Sequence, residues 1–443
     1  MTGLLMSVSI FGYSRELTHI KNPPTIKKRH SQFYAVEHKD LKKSALMKHA
    51  KLKDRYLMSY IPTVVKSFKL LNAVFCVGLL LFISSCANHD DYGMMPERSY
   101  RIDIDRPGTF NIDDYAKFSR LIRLETTAES LIGEISKIQI MWNEDILILD
   151  KLSENLFMFD SAGNFIKTIG RKGNGPNEYA EISDFEFDEE QGNIYIYDRL
   201  KHRFLLYDSA GEFIKELQTD LTGNAFTKIG DKFWFYYPYS KDSRFYLILT
   251  DDKLKNVEKA YFQWNRLLPS SYSPCFSGTG AEKYFFFIGS NIIYRLDGKN
   301  LLPEIGIDFG KYTFPYDKIP DLDNKAFEEL VSGNDYVGDL SGVVISNDFC
   351  FLKFREIKPA GVSSRSYFAV IDFGSGAART YDSAKSSDML VDFFSPLLVT
   401  KDKEIAYPIY PSHHNSIYYE TLRKYFPSLT QDSNPLLAFY SLN

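Results

Sequence analysis

Asp160-Ser-Ala-Gly163 recurs as Asp208-Ser-Ala-Gly211, and the chain around it recurs in step. Phe165-Ile166-Lys167 returns as Phe213-Ile214-Lys215, and Ile146-Leu-Ile-Leu-Asp150 as Ile194-Tyr-Ile-Tyr-Asp198, each pair 48 residues apart. One spacing shared by three separate segments marks a repeated supersecondary unit. Each copy is a set of short alternating strands punctuated by Gly, Asp and Asn. That pattern suits a propeller blade and not a helical solenoid.

The second copy resolves into four strands. Ile182-Ser-Asp-Phe-Glu-Phe-Asp188 alternates with period 2 and ends in the turn cluster Glu189-Glu-Gln-Gly-Asn193. Ile194–Asp198 and Arg203–Tyr207 are the second and third strands. Asp208-Ser-Ala-Gly211 then supplies a tight turn in which Gly takes a positive φ, and Glu212–Leu217 is the fourth strand. Four antiparallel strands in about 40–45 residues match one blade. The 30 Tyr and 35 Phe suit pleated, half-buried surfaces.

Gly192-Asn-Ile-Tyr-Ile-Tyr-Asp198, Lys201-His-Arg203 and Tyr207-Asp-Ser-Ala-Gly-Glu-Phe213 together resemble the NHL repeat. Ile169-Gly-Arg-Lys-Gly-Asn-Gly-Pro-Asn-Glu-Tyr179 extends the likeness to the six-bladed β-propeller lipoproteins of Bacteroidetes. Leu121–Glu125 with Leu131-Ile-Gly133, and Asn434–Tyr440, resemble that family's start and end. The resemblance covers roughly residues 83–443 and implies a fold, not an activity.

Later blades are degenerate. Phe245–Leu249 before Asp251-Asp252, Tyr284–Ile288 with Ile292–Asp297, and Tyr367–Asp372 mark further strands. Asp321–Val331 and Ser416–Tyr425 read as short amphipathic helices between strands. The expected fold class is therefore all-β: a β-propeller of six blades of four antiparallel strands, with short helical insertions, over residues 112–443. That allots about 55 residues to each blade; five and seven blades stay open. Phe118–Leu124 and Leu436–Tyr440 are both strand-like, and their pairing in one blade is expected to close the ring and remove exposed edges.

Upstream, Leu70–Ile83 is an apolar run broken by Asn72 and Gly78, preceded by Lys66 and Lys69 and followed by Ser84-Ser85-Cys86. This is the layout of a secretory signal, and the run falls short of the roughly 20 residues a spanning helix needs. Ile83-Ser-Ser-Cys86 resembles the lipobox of bacterial lipoproteins, which implies cleavage before Cys86 and lipidation of that residue. Residues 58–85 are thus expected to be the signal peptide and 86–111 an acidic, polar tether. Residues 1–57 are expected to be a non-native or disordered upstream extension.

Residues 1–85 hold 14 of the 53 Lys and Arg but only 4 of the 57 Asp and Glu. The remainder carries 39 basic and 53 acidic residues, a net charge of −14. Nucleic-acid binding depends on phosphate neutralisation by Lys and Arg, so nucleic acid is set aside as a partner. Cys275 and Cys350 are the two cysteines of the expected domain, and two buried thiols are favoured over a bridge.

In an up-and-down blade, the turn between strands two and three shares a face with the link from strand four to the next blade. The candidate ligand-binding set on that face is Arg171, Lys172, Asn174, Glu178, Tyr179, Arg199, Lys201 and His202. Replacing such rim side chains, Arg171 and Tyr179 included, is expected to spare stability. The Gly170–Gly175 stretch lacks the Lys-Ser/Thr of a phosphate loop, and Asp321–Glu328 lacks the spacing of a calcium loop. No catalytic motif stands out, so no catalytic residue, cofactor or metal is expected.

Two function classes follow. One is a lipid-anchored cell-envelope protein, expected at the outer membrane, that binds a glycan, peptide or partner protein on the loop face without catalysis. The other is an envelope lyase or hydrolase working in the central channel. Two or more His, Asp, Glu or Arg side chains converging in the channel favour the second; an aromatic rim favours glycan binding by the first.

Overall fold

The computed structural model describes residues 94–443 except 176, 222, 238–244, 266, 269–274, 360, 387–397 and 414–415. The expected extension, signal peptide and Cys86 lie outside the described residues. Three strands open the described chain: β1 (Arg98–Arg101), β2 (Gly108–Phe110) and β3 (Ala116–Arg123).

The chain then winds through successive antiparallel meanders. Blade I is β4 (Ile135–Ile140), β5 (Ile146–Asp150), β6 (Asn155–Phe159) and β7 (Phe165–Ile169). Blade II is β8 (Asp184–Asp188), β9 (Asn193–Asp198), β10 (Arg203–Asp208) and β11 (Phe213–Gln218). Blade III is β12 (Ala225–Ile229), β13 (Lys232–Tyr236), β14 (Phe245–Thr250) and β15 (Val257–Gln263). Blade IV is β16 (Phe276–Thr279), β17 (Glu282–Phe285), β18 (Ile292–Asp297) and β19 (Asn300–Asp308). Blade V is β20 (Val337–Ile345), β21 (Phe349–Glu356), β22 (Ser366–Asp372) and β23 (Ala378–Ser386). Blade VI takes β24 (Leu398–Val399), β25 (Glu404–Ile409) and β26 (Leu436–Leu442), and completes itself with β3.

This is the expected six-bladed propeller, and the last strand closes it by pairing with β3. β26 pairs antiparallel with β3, Leu436 opposite Arg123 and Leu442 opposite Ala116. Asn434 fastens the closure. Its buried amide donates to the carbonyls of Glu125 and Ser130, both at 2.7 Å, and its Oδ1 accepts from the Ile132 amide at 2.8 Å.

Six apolar cores hold the ring, one at each junction between neighbouring blades. Between blades I and II, Leu147, Leu156 and Ile169 meet Phe185, Ile194 and Leu205; between VI and I, Leu437 and Phe439 meet Ile146, Phe157 and Phe159. A blade sheet is therefore apolar on both faces, which explains strands such as Ile146–Asp150 that are buried along their whole length.

The repeated tetrapeptide is explained by its turn. Asp160 Oδ1 accepts from the amides of Ala162 (2.9 Å) and Asn164 (2.8 Å), and Asp208 does the same for Ala210 (3.0 Å) and Glu212 (2.8 Å). Gly163 sits at φ +88°, and a Cβ there would come within 2.3 Å of the Arg123 carbonyl. Glycine is required by both conformation and space.

Two features differ from the expectation. The chain before residue 112 is part of the body: β1 adds in parallel to β19 and β2 in parallel to β23, on the outer edges of blades IV and V. Tyr100, Ile102 and Phe110 are buried there, so 98–110 is not a free tether. The helix expected from Asp321 instead runs Asn324–Ser332, because Asp323 caps it by accepting from the Ala326 amide at 2.8 Å. The second expected helix spans Ser416–Tyr425. Cys275 and Cys350 are both free and buried, and burial pushes both thiols up.

Candidate functional site

The link between blades I and II, with the turn of β9 into β10, carries all eight loop-face candidates. The link folds back on itself. Gly173 donates to the Tyr179 carbonyl at 2.8 Å, and Tyr179 to the Arg171 carbonyl at 3.1 Å. Glu178 accepts from the Gly175 amide at 2.6 Å, a bond that holds its carboxyl below the usual range, and it pairs with Arg171.

Lys201 reaches in to donate to the carbonyls of Gly173 (2.9 Å) and Glu178 (3.1 Å). Arg199 pairs with Glu181 at 2.8 Å and donates to Asn224 at 3.1 Å. Lys172 pairs with Glu154. Asn174 and His202 are exposed, His202 in the left-handed region at φ 50° where it ends a 3-10 turn.

Structure thus brings the set together, in large part by bonding its members to one another. Tyr179 is the exception to the rim placement: it is fully buried between blades I and II, with its hydroxyl donating to Asn155 at 3.1 Å. Its replacement cannot spare stability as expected, because a cavity would open in an interblade core. Beneath the link, Asp198 is wholly buried and accepts from the amides of Ala180 (3.1 Å) and Lys201 (3.3 Å). The Asp that ends the second strand of the repeat therefore stitches two loops together.

The first strands of all six blades surround a cavity of about 1650 Å³. It reaches the loop face at Glu134, Lys151 and Leu152, and the opposite face at Trp142, Glu144 and Lys401. Its wall holds an ion cluster assembled from three blades. Lys137 of β4 donates to Asp184 Oδ1 at 2.9 Å and Glu186 Oε2 at 3.3 Å; Lys283 of β17 donates to Glu186 Oε1 at 2.5 Å. The Phe226 amide also donates to Asp184, at 2.9 Å.

Burial opposes charge throughout this cluster, and the outcome differs by residue. It raises the Asp184 carboxyl above its ordinary value despite Lys137. It fails to do so at Glu186, where Lys283 and Lys137 hold the carboxyl below the ordinary glutamate value. Lys137 is likewise kept above the usual lysine value by Asp184 and Glu186, against its burial. Nearer the mouth, Glu189 of blade II pairs with Lys401 of blade VI at 2.6 Å. Blade II thereby bonds across the ring interior to two blades that are not its neighbours.

None of these cavity residues was singled out in the sequence. A signal existed: Asp184-Phe-Glu-Phe-Asp188 places three acids on one face of a blade's first strand, and the two Phe pack into the core shared with blade I. Among the described residues there is no cluster able to hold a metal ion, and no helix is long and apolar enough to cross a membrane.

Six four-stranded blades around a central cavity make this a six-bladed β-propeller protein. The family model described as a domain of unknown function (DUF4934) matches residues 99–441, and the chain belongs to that family. A Bacteroides fragilis protein described as exported is similar in structure, with TM-score 0.63 at 19% identity over 78% of this chain and 99% of that one. A member of the DUF4221 family from Bacteroides vulgatus gives 0.46 at 11% identity, covering 74% and 97%. The virginiamycin B lyase of Staphylococcus aureus gives 0.37 at 10%, covering 72% and 98%. The first likeness shows the fold; the other two carry no argument. No curated protein matches the chain.

Proposed function

We propose that this chain is an exported, lipid-anchored cell-envelope binding protein, held at the outer membrane through Cys86, that takes its ligand without transforming it. The observation that carries the reading is the cavity wall. A shaped space runs between the two faces, and its converging acids are closed off by lysines and backbone amides. The lipobox-like Ile83-Ser-Ser-Cys86 supports the address, as does the description of the Bacteroides fragilis protein of like fold as exported. Arg171, Lys172, Asn174, Arg199, Lys201 and His202 on the loop face supply the outer contacts.

The enzymatic alternative has one observation in its favour: Asp184 and Glu186 do converge on the cavity. For either acid to act as general acid, general base or nucleophile, its carboxyl must be free to move a proton or attack. Here both are buried and spoken for, which favours binding. The test is capture from envelope extracts. Arg171→Ala with Arg199→Ala should weaken retention of whatever co-purifies with the wild type, while changes at Ser161 and Ser209 should not. The reverse pattern would remove the loop face from the account.

A further inference from the structure

The cavity wall has a chemistry of its own. Among its described lining residues, seven are Lys or Arg and seven are Asp or Glu, so it is electrically balanced. The chain from Cys86 onward carries a net −14. Charge has thus been evened out locally in an otherwise acidic molecule. A balanced wall gives no net attraction to an anion or a cation. It does offer donors and acceptors together, and hydroxyl or amide groups from Gln139, Asn224, Thr227, Ser277, Ser341 and Asn347 add more of both.

At the mouth opposite the loop face stands Trp142, an indole 51% exposed. Exposure of this kind usually reflects a mobile side chain, but this ring is held. Phe187 meets it edge-on at 5.1 Å between centroids. Gly192 lies so close that a Cβ there would come within 2.1 Å of the ring. The turn beneath is fixed by Met141 and Asp145, whose amide and carbonyl bond at 2.8 Å. The result is a flat apolar platform at the entrance to a charge-balanced chamber, lined by apolar and hydrogen-bonding side chains together, that is larger than the roughly 300–1,000 Å³ of a drug-sized pocket.

We infer that the central cavity is a binding site for a neutral oligosaccharide, with Trp142 as the stacking platform at its mouth. A sugar ring has an apolar C–H face that an indole covers and a rim of hydroxyls that need donors and acceptors in equal measure. An ammonium ligand would use only the acceptors and would meet Lys137, Lys283 and Lys401 on the same wall. The inference rests on the binding reading above and adds the ligand class.

The test uses the intrinsic fluorescence of the full domain. Trp234 is wholly buried and Trp264 is half-buried against the core between blades III and IV, so the response at the mouth is read as the part of the emission change that Trp142→Phe removes. Maltotetraose, cellotetraose, xylotetraose and mannotetraose are titrated separately, with spermidine as the charged comparator. At least one tetrasaccharide should shift the emission to the blue. Trp142→Ala should weaken its binding at least tenfold by calorimetry, Trp142→Phe should recover part of it, and Ile166→Ala, outside the cavity, should change nothing. Melting curves confirm that each variant is folded. Binding of spermidine alone, or no response to any tetrasaccharide, overturns the inference. Tetrasaccharide binding that survives Trp142→Ala undiminished overturns the platform. A non-saccharide ligand recovered from envelope extracts would sink the sugar and leave the binding reading standing.

Discussion

Glu186 is the residue on which the inner wall depends. Its two oxygens answer Lys283 and Lys137, and it is almost wholly buried. Glu186→Gln leaves two ammoniums facing a neutral amide. Removing one partner from a buried ionic group costs about 3–5 kcal/mol, and a loss of unfolding free energy of that order is expected by denaturant titration. The cost should also depend on pH. Burial pushes this carboxyl up, yet the two lysines hold its folded value below the ordinary one. Its contribution is therefore complete above the ordinary glutamate value of about 4.3 and fades as pH falls through the lower folded value. The stability gap between wild type and Glu186→Gln should shrink in strong acid. A gap that is constant with pH would mean the carboxylate is not bound by the lysines. These partners were illegible in the sequence because they lie 49 and 97 residues away on other blades.

Elements were read better than residues where the chain repeats itself. The 48-residue period gave blade II strand by strand and, by repetition, β5, β7 and the intervening turn of blade I, because alternation and the Asp-Ser-Ala-Gly turns are local signals. Blade closure was also legible, since two unpaired strand-like ends have one economical solution. The outer strands β1 and β2 were not, for three or four residues pairing in parallel about 200 positions or more away leave no periodic trace. The loop-face candidates show the same divide. Their common face follows from strand parity, but burial of Tyr179 does not, because it depends on how blades I and II pack. Closure carries its own prediction. Asn434→Ala orphans the Ile132 amide and the carbonyls of Glu125 and Ser130, and should cost about 3 kcal/mol, read by denaturant unfolding. A loss under about 0.5 kcal/mol would show that β26 and β3 hold without this clasp.

At the scale of the whole molecule, the ring is a rigid carrier for loops and cavity, and its acidic balance suits a domain held beside a membrane. Lipid anchoring is tested by feeding cells a fatty-acid probe. Wild type should label and Cys86→Ala should not; equal labelling would dismiss the anchor. The cavity is proposed to hold a ligand that the protein does not alter. Native mass spectrometry of protein released from envelopes tests it directly. One ligand mass should be present per chain. It should be recovered unchanged after long incubation with the purified protein, and its occupancy should fall when Ser277→Trp and Ser341→Trp together narrow the cavity from two blades. Full occupancy in the narrowed variant, or conversion to product by the wild type, would contradict the claim.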